Sequence, residues 1–167
     1  MDMTNSNHVP LFTNRLNGAK KTPEQLVGLG FRYWMAGYQK NDIGFWKTSW
    51  DFYTKQLGAL GAKSVVTELA YWVQTVNSST ARDIEIAPDC SHFCRDECMA
   101  ISLIAACQQK HTCPALQACA QALIGDCELD CVIEASEGFA YELANHDLVL
   151  SGVANANDIS HQHAFAS

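Results

Sequence analysis

All eight cysteines of this 167-residue chain fall between residues 90 and 131: Cys90, Cys94, Cys98, Cys107, Cys113, Cys119, Cys127 and Cys131. The first three read C-x3-C-x3-C and the last two C-x3-C. Residues four apart share a face of an α-helix, so each run would present a stripe of sulfur. Thiols this dense can coordinate a soft metal, pair as disulfides or act as nucleophiles. Four thiolates suit Zn(II), Cu(I) or an iron–sulfur cluster. The chain has neither a C-x2-C knuckle nor the C-x2-C-x2-C spacing of iron–sulfur proteins, so the clustering points to thiol chemistry without choosing the metal.

The elements that must position these thiols read as helices. Thr22-Pro23-Glu24-Gln25 has the form of a capping box with proline at the first helical position, and predicts a helix to about Lys40. Asn41-Asp42 predicts the cap of a second helix to about Leu57. Gly58 and Gly61 predict a break before a third, from Ala62 to Val76, in which Val65, Leu69, Trp72 and Val76 have the spacing of a buried stripe. The cysteine region predicts three more segments: Cys90 to Gln108, Thr112 to Ile124, and one from Gly125-Asp126 to His146 or Leu150. The expected fold class is all-α, a single-domain bundle of five to six helices. The chain divides into a polar segment 1–21, a helical domain 22–150 and a small, polar tail 151–167. Within the domain, an aromatic-rich half (22–80) precedes a cysteine-rich half (88–150).

On a helical wheel, Cys90, Cys94 and Cys98 join the apolar face of Phe93, Ile101, Ile104 and Ala105, where a buried thiol is also ordinary packing. Cys127 and Cys131 oppose the stripe of Leu129, Val132, Ile133, Phe139, Ala140 and Leu143, so they are either covered by another segment or accessible. Folding the segments as antiparallel neighbours brings Cys107 opposite Cys113 and draws Cys94, Cys98, Cys119 and Cys131 together. The candidate metal ligands are therefore Cys90, Cys94, Cys98, Cys119, Cys127 and Cys131, for copper, zinc or iron–sulfur.

Two stretches, Cys90-Ser91-His92-Phe93-Cys94-Arg95-Asp96-Glu97-Cys98 and Cys127-Glu128-Leu129-Asp130-Cys131, carry a resemblance to the copper storage proteins. Those are four-helix bundles whose cores are lined with cysteines that bind Cu(I). The resemblance spans residues 90–131 and implies a thiolate-lined bundle interior holding copper. The first three helices carry no cysteine, and the middle spacings are irregular.

Other residues hold less chemistry. Cys113 opens a helix beside His111, a setting that lowers a thiol pKa, and it is the only footing for an enzyme. Glu142 and His146 are four apart and read as a solvated helix face; His161 and His163 lie in the tail. His92, Asp83, Glu85 and Asp89 read as surface groups. The rings of Phe31, Tyr33, Trp34, Tyr38, Phe45, Trp46, Trp50, Phe52, Tyr53, Tyr71 and Trp72 read as core packing, or as a homodimer surface on the N-terminal half. The net charge of −7 argues against nucleic-acid binding. The lack of an apolar run near about 20 residues argues against a membrane span, and the polar start predicts a cytoplasmic protein. Three readings stay open: a thiolate metal-binding protein for storage, buffering or sensing; a helical interaction or regulatory module with reduced, mostly buried cysteines; and a disulfide-stapled helical protein.

Overall fold

Five helices, and no strand, make up the described residues of the computed structural model, 20–110 and 113–151. They are α1 (Pro23–Lys40), α2 (Ile43–Ser79), α3 (Arg95–Gln108), α4 (Cys113–Ile124) and α5 (Leu129–Asn145). The fold is the all-α bundle expected. α2 packs between α1 and α5, while α3 packs on α1, α4 and α5.

Local chemistry sets the helix ends. The Thr22 hydroxyl accepts from the Gln25 N–H at 3.2 Å and Gln25 Oε1 accepts from the Thr22 N–H at 3.0 Å, completing the capping box ahead of Pro23. Asn41 closes α1 in the left-handed region (φ 50°), and Asp42 then caps α2 through the Gly44 N–H at 2.8 Å. Inside α1, Gly28 and Gly30 are sites of close approach. A Cβ there would overlap the Phe93 ring or the Tyr53 hydroxyl, and that hydroxyl donates to the Leu26 carbonyl at 2.7 Å.

The break expected at Gly58 is present: its backbone leaves helical geometry (φ 73°, ψ 170°), in a conformation glycine adopts without strain, and divides the 37-residue α2 into two helical stretches, with Gly61 inside the second. Two other boundaries differ from expectation. α3 begins at Arg95 rather than Cys90, because Glu97 reaches back to the Cys94 N–H at 2.8 Å and fixes Cys94 as the N-cap. α5 begins at Leu129, after Glu128 in the left-handed region (φ 30°), which leaves Cys127 in the preceding connection. The polar N-terminal segment up to residue 19 and the tail from residue 152 lie outside the described residues.

One core runs through all five helices. Trp72 stacks on Phe139 with ring centroids 5.1 Å apart and meets Phe31 at 5.4 Å, joining α1, α2 and α5. Most of the aromatic half thus packs inward or half-inward, as core packing required; Trp50 and Tyr71 remain exposed.

The first turn of α3 fastens the long connection before it. Glu97 is fully buried and takes both Nε (2.7 Å) and Nη2 (2.9 Å) of Arg32 on α1, as well as the Ala87 N–H at 3.1 Å. Arg32 spends its other donors on the carbonyls of Cys90 (2.8 Å) and His92 (2.7 Å), with its guanidinium 5.0 Å from the Phe93 ring centre. Beside it, Asp96 accepts two bonds from Arg82 and one from the Glu85 N–H. Burial disfavours the charged guanidinium of Arg32, but Glu97 outweighs that and holds its pKa above the ordinary value. Removing one partner of such a buried pair strands the other charge. Glu97→Gln is therefore expected to lower unfolding free energy by about 3–5 kcal/mol in urea titrations. Lys47→Ala, which removes only the exposed pair to Asp51, is expected to change it by at most about 0.5 kcal/mol.

Candidate functional site

The seven described cysteines are all free thiols, and their settings differ. Cys90 is exposed in a turn, its N–H donating to the Ala87 carbonyl at 3.1 Å. Cys94 is half-buried at the α3 N-cap, and its thiol donates to the Glu85 carbonyl at 3.2 Å. Cys98 is buried one turn further, 3.9 Å from the Phe93 carbonyl. Cys107, near the end of α3, and Cys119, midway along α4, are half-buried against the core. Cys127 is half-buried in the α4–α5 connection, and Cys131 is exposed on α5. The N-cap at Cys94 takes Cys90 off the helical stripe, and the late start of α5 separates Cys127 from Cys131 in the same way. The Cys113 side chain lies outside what the structure describes, as do His111, Thr112, His161 and His163.

Burial governs the electrostatics of these thiols. It raises the pKa of Cys94, Cys98 and Cys119, with the Glu97 carboxylate adding to the rise at Cys98. Cys107 is pushed up to about 12 by burial, then by Glu137 and by Cys119 close by. A thiol must give up its proton to ligate a metal or attack an electrophile, so these four are neutral at pH 7. Among the described residues, no three His, Cys, Asp or Glu side chains gather as a metal ion would require.

A different constellation lies between α2 and α5. Ser64 Oγ is 3.0 Å from His146 Nε2, and the same nitrogen is 3.2 Å from Glu142 Oε1. These groups sit at a groove of about 340 Å3 lined by Leu60, Lys63, Ser64, Thr67, Glu68 and Glu142. Serine, histidine and glutamate suggest a hydrolytic triad, but the geometry opposes it. Hydrogen bonding from Ser64 and His146 holds the Glu142 carboxyl below its ordinary pKa. An ionised carboxylate only accepts, so Nε2 must carry the hydrogen. It then cannot take a proton from Ser64, whose hydroxyl also lies 3.1 Å from the Gly61 carbonyl. A triad would place the carboxylate on the other ring nitrogen. The cluster is a polar clasp joining α2 to α5. The i,i+4 spacing of Glu142 and His146 was the one sequence signal for it; Ser64, 82 residues away, gave none. Glu97 had a comparable signal, three residues after an N-cap, whereas Arg32 had none. Asp83, Glu85, Asp89 and His92 are exposed, as expected.

Compared with known proteins, the chain matches no family model, no curated protein and no solved structure at a significant level.

Differential alkylation should reproduce the thiol order. With iodoacetamide at pH 8 and peptide mass spectrometry, Cys90 and Cys131 are expected to label well ahead of Cys98 and Cys107; uniform labelling would contradict these positions. Linkage gives a second expectation. A thiol near 8.5 when unfolded and about 12 when folded contributes stability that is whole below about 8.5 and lost as pH rises through the folded value. Cys107→Ala should therefore show a shallower fall in unfolding free energy than the parent protein between those limits.

Proposed function

We propose that this chain is a helical interaction module whose cysteines stay reduced. The observation that supports this reading is the setting of the thiols: two are exposed, and four are desolvated and neutral. Such cysteines behave as small apolar packing residues with weak S–H donors. An interaction role also accounts for the large apolar side chains left outside. Leu60 is 88% exposed and Tyr71 56% on α2, and Tyr141 is 71% exposed on α5. By helical spacing they flank the groove described above.

A second reading, thiolate metal binding, is favoured by one observation, the electrostatic influence of Cys119 on the Cys107 thiol. Two soft donors that lose their protons on ligation suit Cu(I) or Zn(II) better than harder ions.

Protein purified anaerobically separates the two. The interaction module is expected to titrate eight thiols after denaturation, to contain no stoichiometric copper, zinc or iron by elemental analysis, and to melt at the same temperature with and without chelator. Stoichiometric metal, with thiols masked until chelator is added and a melting temperature lowered by it, would replace this reading with the second.

A further inference from the structure

We infer that the α2–α5 groove is a self-association surface, and that the partner it accepts is a second copy of this chain. The inference rests on the interaction-module reading and names its partner. The groove is not simply apolar. One wall carries the carboxylates of Glu68 and Glu142, a setting that attracts an ammonium group. The same face supplies one in Lys63, which is exposed and lies on the opposite side of the α2 stripe from Glu68. At 100° per residue, Leu60, Ser64, Thr67 and Tyr71 run down the middle of that stripe, with Lys63 and Glu68 on its two flanks.

A face with a cation on one flank and an anion on the other is complementary to itself under a two-fold rotation. Two copies crossing obliquely on this stripe bring Lys63 of each beside Glu68 of the other, so the contact forms twice, as an isologous interface requires. Ser64 and Thr67 at the centre are small enough to let the helices approach closely. Leu60, projecting into solvent in the single chain, then enters the partner copy's groove beside Tyr141. The exposed rings and the groove are thereby buried together, giving the interface an apolar centre and a charged rim.

Charge reversal tests this in a way that general damage cannot imitate. In sedimentation equilibrium with reductant present, the parent protein is expected to be a concentration-dependent dimer. Lys63→Glu sets two carboxylates against each other at both contacts, and Glu68→Lys sets two ammonium groups. Each variant alone should dimerise at least about tenfold more weakly. Mixed together, they re-form both pairs, because one copy then carries a carboxylate at both positions and the other an ammonium group at both. Dimerisation should return towards the parent value. Leu60→Glu, at a site that contributes nothing to the core, should abolish the dimer while circular dichroism stays unchanged. A parent protein that remains monomeric at all concentrations overturns the inference, as does a dimer that survives Leu60→Glu or a mixture no stronger than its components. None of these outcomes bears on the thiol and metal measurements, so this inference can fail while the interaction-module reading stands.

Discussion

The bidentate contact between Arg32 and Glu97 is the constraint on which the arrangement of the cysteine half depends. Both side chains are almost wholly shielded from water, at 3% and 0% exposure. Burying a charge pair is unfavourable unless the geometry is close and the remaining donors and acceptors are met. Here they are met by the main chain: the Cys90 and His92 carbonyls on the arginine, and the Ala87 and Cys94 N–H groups on the glutamate. The pair therefore serves as the hydrogen-bonding partner of a connection that forms no regular structure of its own. It joins α1 to the first turn of α3 and fixes the chain between them. The neighbouring Arg82–Asp96 pair performs the same task for residues 82–85 and reaches across to the Ala122 carbonyl near the end of α4.

This constraint also decides the fate of the thiols. A C-x3-C-x3-C run makes one sulfur stripe only if all three cysteines are helical. Glu97 instead caps the helix at Cys94, so Cys90 sits in a turn and Cys98 points into the core. The C-x3-C-x3-C run is thereby broken at Cys90, because a carboxylate three residues past Cys94 competes for the main chain and prevails.

Fold class and most helices were legible because their signals are local: Thr22 with Gln25, Asp42 before Gly44, and the stripe of Val65, Leu69, Trp72 and Val76. The break at Gly58 is a local signal too, and the helical geometry of α2 is interrupted there. The start of α3 departs from the cysteine spacing because Glu97, three residues past Cys94, caps the helix at that point, and α5 starts after Gly125-Asp126 because Glu128 adopts the left-handed conformation. The Ser64–His146 contact and the Arg32–Glu97 pair join residues 82 and 65 apart. No local pattern encodes such a meeting, and one sequence on its own offers no other route to it.

The end of the described body returns to its beginning. The Ser151 N–H and hydroxyl both lie 2.7 Å from Glu24 Oε1, so the first turn of α1 and the end of the segment beyond α5 meet across 127 residues. Gln108 holds that returning segment, binding the Leu148 carbonyl and the Leu150 N–H at 2.8 Å each. Topologically the bundle is a nearly closed ring. A short linker could join its ends, and new ends could be opened in an exposed connection without disturbing the core. Since loop closure removes entropy from the unfolded chain, such a ring would gain stability with no new contact in the folded one.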